Sequence, residues 1–76
     1  MATVEHYAAK ARHHARNALA AIKCHDVAEG LGLHILADMH ARHAREEAAT
    51  MRKANRAARA LAIRAEESAL RAIFKR

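Results

Sequence analysis

Seven histidines in 76 residues, His6, His13, His14, His25, His34, His40 and His43, are the first candidates for chemistry. His40, His43 and Glu47 stand at i, i+3 and i+7, so on a helix all three side chains share one face. Two imidazoles and a carboxylate form an acceptable zinc or nickel set, and His34 with Asp38 is a second i, i+4 pair. A structural zinc site normally draws four ligands with cysteine prominent, and no second cluster is spaced to complete this one. The expectation is therefore surface or interface histidines, with no resident metal and no cofactor. With an ordinary pKa of about 6.5, such histidines add positive charge as the pH falls to about 5.5, which weakens any association they line.

Nucleophilic chemistry has less behind it. Cys24 stands beside His25, but no carboxamide or carboxylate is placed in the sequence to orient the base. The hydroxyls of Thr3, Tyr7, Thr50 and Ser68 lie in no nucleophile motif, and Gly30 and Gly32 lack the strand and further glycine of a phosphate-cradling loop. The chain reads as a non-enzyme.

Basic charge is the most functional-looking feature. From residue 48 to residue 65 the chain carries Arg52, Lys53, Arg56, Arg59 and Arg64 and no acid. Arg45, Arg52, Arg56 and Arg59 follow one helical face, a ridge suited to phosphates or to an acidic protein surface. Tyr7 and Phe74 are the only Phe, Tyr or Trp rings, so single-strand recognition by base stacking is not expected.

These side chains must be positioned by helices. Of the 40 residues behind the 53% hydrophobic content, 22 are Ala, Pro is absent, and Ala, Arg, Leu, Glu, Lys and Met are strong helix formers. Two Val and two Thr leave nothing from which to build strands, so the class is all-α. Thr3 can cap a first helix over about 3–23, with Glu5 in its first turn. Val4, Ala8, Ala11, Ala15, Ala18 and Ile22 keep helical spacing along it. Asp26 followed by Glu29 resembles a capping box, which places a turn at Cys24 and His25 and a second helix over about 27–47. Gly30 and Gly32 fall inside its first turns, and Leu31, Ile35 and Met39 form its stripe beside Leu33 and Leu36. Thr50 can cap a third helix over about 51–75, with Met51, Ala54, Ala58, Leu61, Ala65, Ala69 and Ala72 inward. Ile63, Leu70, Ile73 and Phe74 widen that helix's apolar face. The architecture expected is a single domain over residues 1–76, a small three-helix bundle or a helical hairpin with a long second helix. Nothing after Gly32 obliges a break, so residues 27–75 can also form one helix.

Two partial resemblances fall on the middle of the chain. Val27, Ala28, Leu31, Gly32 and Leu33 are similar to the helix-turn-helix pattern, which implies a recognition helix over 34–42 with His34, Asp38 and Arg42 on one side. Ala37 and His40 depart from it, since larger apolar residues usually stand there, and Asp38 has the wrong charge for phosphate. Asp26, Gly30, Leu31, His34 and Ala37 resemble the helical hairpin of tetratricopeptide repeats, but no second copy follows at a 34-residue period, so a solenoid is excluded.

A chain this short, at a formal charge of +6, supports one small core and no large catalytic fold. Ala-faced helices bury little area each, so the monomer is under-cored and a homodimer is expected. No apolar run reaches the length of a membrane span, no leader precedes the first helix, and one unpaired Cys fits a reducing compartment, so the expected location is cytoplasmic. The Ala and Arg bias is also what a GC-rich genome encodes, which points to a bacterium or its phage. The function expected is a small regulatory protein that binds and modulates another protein, such as a phage or bacterial inhibitor of a host factor. Arg45, Arg52, Lys53, Arg56 and Arg59 form its binding face, toward an acidic or apolar helical surface. The alternative is a DNA- or RNA-binding regulator that uses the same ridge.

Overall fold

Thr3 starts the first helix as its position predicts. Its backbone is extended, and its hydroxyl oxygen accepts the His6 amide at 3.1 Å, satisfying one of the N–H groups a helix start leaves without a partner. Glu5 in the first turn places a negative charge at the positive end of the helix dipole. A computed structural model describes residues 2–75 of the chain. Within them helix α1 runs Val4–Gly30 and helix α2 runs His34–Phe74, and no strand is present among the described residues. The protein is an all-helical hairpin with a long second helix rather than a three-helix bundle. No helix among the described residues is long and apolar enough to cross a membrane.

Both expected breaks are absent, for local reasons. The Asp26 and Glu29 carboxylates do not cap a second helix. They face His25 instead, with Asp26 Oδ1 at 3.1 Å from His25 Nδ1 and Glu29 Oε1 at 4.0 Å from His25 Nε2, and α1 continues through them. Thr50 likewise lies inside α2, where its hydroxyl donates to the Glu46 carbonyl at 3.1 Å, the back-bond by which a helix absorbs a threonine.

The turn falls where two glycines were expected inside a helix. Gly32 has φ +73°, the left-handed conformation that ends helices at little cost only in glycine. Around it the Gly32 amide donates to the Glu29 carbonyl at 3.0 Å, and the Leu33 amide reaches back to the Ala28 carbonyl at 2.9 Å. This pair of bonds is the Schellman motif, which satisfies carbonyls that the helix end would otherwise leave open. Leu31 to Leu33 therefore carry the whole reversal, and α2 starts at His34.

Alanine fills every fully buried position of the seam. On α1 the covered positions include Val4, Tyr7, Ala11, His14, Ala18, Ala21, His25 and Ala28, a series alternately three and four apart, with Ala8, Ala15 and Asn17 partly covered beside it. On α2 they include Ala37, His40, Ala44, Glu47, Met51, Ala54, Ala58 and Leu61, in the same rhythm, with Ala41, Ala48, Thr50 and Ala57 partly covered beside them. Both stripes are heptad seams, which lets two helices lie nearly parallel along their length. The buried members, Ala11, Ala18, Ala21, Ala28, Ala37, Ala44 and Ala54, are all alanine, so the helices approach closely while burying little apolar area. Ile22, the last member of the series at helical spacing, is 45% exposed because it lies one position beyond Ala21 on the helix surface.

The two helices differ in length, and the difference shapes the molecule. At about 1.5 Å per residue, α2 outruns α1 by roughly 20 Å. Every described residue from 62 onward is exposed, including Ala65, Ala69 and Ala72, which were expected to face inward. The result is a rod of 67 × 18 × 13 Å with a closed tip at the turn and a single-helix arm at the other end.

Candidate interaction surface

The outer face of α2 carries the expected basic ridge. Arg45, Arg52 and Arg59 each follow a seam position by one residue (Ala44, Met51 and Ala58), which turns them about 100° away from α1. Arg56 lies between Arg52 and Arg59 on the same side, and Lys53 stands next to Arg52. All five are exposed. The three seven-spaced arginines are about 10 Å apart in turn, so the ridge extends for roughly 20 Å along a straight helix.

Among the described residues no carboxylate is paired with this ridge. Among the described residues the ion pairs are His14 with Glu47, His25 with Asp26 and Glu29, His34 with Glu29, His43 with Glu47, and Arg71 with Glu67. None includes Arg45, Arg52, Lys53, Arg56 or Arg59. Four arginines and a lysine thus stand on one helix with their charge directed to solvent.

The histidine set expected on α2 is divided. His43 Nε2 lies 3.7 Å from Glu47 Oε1, but His40 turns into the seam and lines a groove at the tip with Cys24. Among the described residues no three His, Cys, Asp or Glu side chains are grouped to hold a metal ion. Glu47 is drawn across the seam instead, where its Oε2 is hydrogen-bonded to His14 Nδ1 of α1. Both side chains are mostly covered, at 21% and 16% exposure. The His14 hydrogen bond holds the Glu47 carboxyl below its ordinary value of 4.5, against the opposing push of burial, and Asn17 and the charges of His14 and His43 add to the lowering. Sequence reasoning missed this pair. Its signal was that His14 and Glu47 each stand on a heptad seam, where an isolated polar residue needs a partner from the facing helix.

Two apolar surfaces remain open. At the tip, Val27, Leu31, Leu33, Ile35, Leu36 and Met39 are between 42% and 82% exposed, so the stripe expected of Leu31, Ile35 and Met39 lies on the surface of the hairpin. Along the arm, Ile63, Leu70, Ile73 and Phe74 are likewise exposed, since α1 ends before reaching them. The segment similar to a helix-turn-helix is the hairpin turn itself, so its two halves are the long arms of one rod and His34, Asp38 and Arg42 all stand exposed near the tip. The chain matches no protein-family model, no curated protein and no solved structure.

Proposed function

We propose that the chain is a non-enzymatic regulatory protein that binds and modulates another protein through the outer face of α2. The observation that carries this reading is the ridge of Arg45, Arg52, Lys53, Arg56 and Arg59, exposed and without a carboxylate partner among the described residues. Fold stability does not require it, because like charges three and four residues apart on a helix repel by roughly 0.2 to 0.5 kcal/mol per pair. A surface that costs its own helix stability is best accounted for by a partner outside the molecule, and arginine's planar fork pairs well with carboxylates. An acidic helical surface is the partner chemistry. The exposed, unpaired Cys24 is compatible with a reducing cytoplasm, in a bacterium or a cell infected by its phage.

The deciding experiment compares the wild-type chain with the triple variant Arg52→Glu, Arg56→Glu, Arg59→Glu. Tagged versions capture proteins from a bacterial lysate, and circular dichroism reports the helix content of each. The expected result is a specific acidic protein held by the wild type and lost by the variant at equal helicity. Equal capture by both overturns the assignment of the ridge. Labelled duplex DNA and RNA are titrated in parallel by fluorescence anisotropy. Tight binding that falls steeply between about 50 and 200 mM salt replaces the protein partner with a nucleic acid.

A further inference from the structure

We infer that the closed tip of the hairpin is a homodimer interface, in which Val27, Leu31, Leu33, Ile35, Leu36 and Met39 of two copies pack against each other. The inference does not depend on the arginine face, which lies elsewhere on α2. The six side chains form one continuous surface. Leu33 and Leu36 line both of the open apolar grooves at the turn, one bounded by Val27 and Leu31 and the other by Ile35 and Met39. Contiguous apolar patches of this kind are rare on the surfaces of monomers and mark sites of association.

Three observations identify the occupant as a second copy of this chain. The first is the core: no described side chain larger than alanine is buried, so the largest apolar residues near the turn lie outside the fold of one hairpin. Small domains with so little core are usually completed by association, and a second copy supplies a patch of matching size and character. The second is charge. Residues 23–43 carry Lys23 and Arg42 against Asp26, Glu29 and Asp38, a net of −1, while the rest of the chain carries +7. Two copies of a basic rod therefore meet with least repulsion at their tips. The third is self-complementarity. A two-fold interface applies each patch to itself, so it must hold both partners of every polar pair. The tip does: Glu29 lies 3.7 Å from the His34 ring, and Asp38 and Arg42 stand four residues apart on the same helix. Tip-to-tip docking also leaves both arginine faces and both arms free.

The test is sedimentation equilibrium of the full chain over a wide concentration range, for the wild type and two tip variants. Ile35→Glu with Met39→Glu introduces charge into the patch, and Ile35→Ser with Met39→Ser removes its apolar area without charge. In a single hairpin both side chains project into solvent, at 82% and 60% exposure, so the substitutions leave the packing of the hairpin alone. A third variant, Ile73→Glu with Phe74→Glu, alters the arm. The expected result is a concentration-dependent dimer in the wild type and the arm variant, and dimerisation weakened by about a hundredfold in both tip variants. A wild type that stays monomeric at every concentration overturns the inference and leaves the tip to a different protein. So do tip variants that keep the dimer mass, or an arm variant that alone loses it. Loss of the dimer with the arginine-dependent capture unchanged, or the reverse, tells the two proposals apart.

Discussion

His14 of α1 and Glu47 of α2, 33 residues apart in sequence, are hydrogen-bonded across a seam otherwise dominated by alanine. The bond lowers the carboxyl pKa of Glu47 below its ordinary 4.5, and a depressed acid pKa has a definite sign for stability. The contribution is complete above the ordinary value and is lost as the pH falls through the lowered one. The wild type is therefore expected to lose melting temperature below about pH 4.5 more steeply than Glu47→Gln, which keeps the shape of the side chain without the titrating proton. At pH 7 the variant melts below the wild type, and the gap closes on acidification. Thermal melts across the acid range, at matched protein concentration, check this, and parallel curves would show that the pair adds nothing.

The two glycines are predicted to respond in opposite directions to the same change. Neither position has a heavy atom within 4 Å of where a Cβ would stand, so space does not decide between them. Backbone conformation does. Gly32 sits at φ +73°, and Gly32→Ala should cost roughly 1 to 2 kcal/mol for forcing alanine into the left-handed region. Gly30 is the last residue of α1, with a negative φ, and Gly30→Ala should gain up to about 1 kcal/mol through helix propensity and a less disordered unfolded chain. Urea denaturation followed by circular dichroism measures both.

What was legible in the sequence was local. The Thr3 cap and the all-helical class follow from residues that act within one turn of themselves. The turn was misplaced because Asp26 and Glu29 have capping-box spacing, and only the positions of His25 and His34 show that these carboxylates are engaged elsewhere. Gly32 stood in the sequence from the start, but a positive φ is required of it only once α1 is known to run to Gly30. The seam partners were hidden for the same reason: moving the turn from residues 24–25 to 31–33 changes which residue of one helix faces which of the other. The ridge of Arg45, Arg52, Arg56 and Arg59 was legible because it needs one helix and its period, whereas the open tip followed only from knowing that no third helix covers it.

Alanine at the seam is predicted to be obligatory rather than a mark of composition alone. Ala37 is fully covered near the turn, and Ala37→Leu adds three carbons at a seam position with no exposed surface. Overpacking of this kind costs roughly 1 to 3 kcal/mol. Ala69→Leu makes the same chemical change on the arm, where the residue is exposed, and should stay within about 0.5 kcal/mol of the wild type. Comparing the two by urea denaturation separates seam packing from helix propensity, which is nearly the same for both substitutions.

The arginine ridge is predicted to cost the molecule stability in isolation. Arg52 and Arg56 are four apart and Arg56 and Arg59 three apart on one exposed helix face, so each pair repels. Arg56→Glu converts both contacts into attractions, because the new carboxylate stands within reach of Arg52 and Arg59. Each change of sign is worth a few tenths of a kcal/mol, so the single variant should be more stable than the wild type by about 0.5 to 1 kcal/mol at low ionic strength. Salt screens exposed charges, and the gain should shrink toward zero as the ionic strength approaches about 1 M. A variant that is destabilised at low salt would mean that Arg56 has an intramolecular role, and the argument that the ridge is kept for an external partner would fail with it.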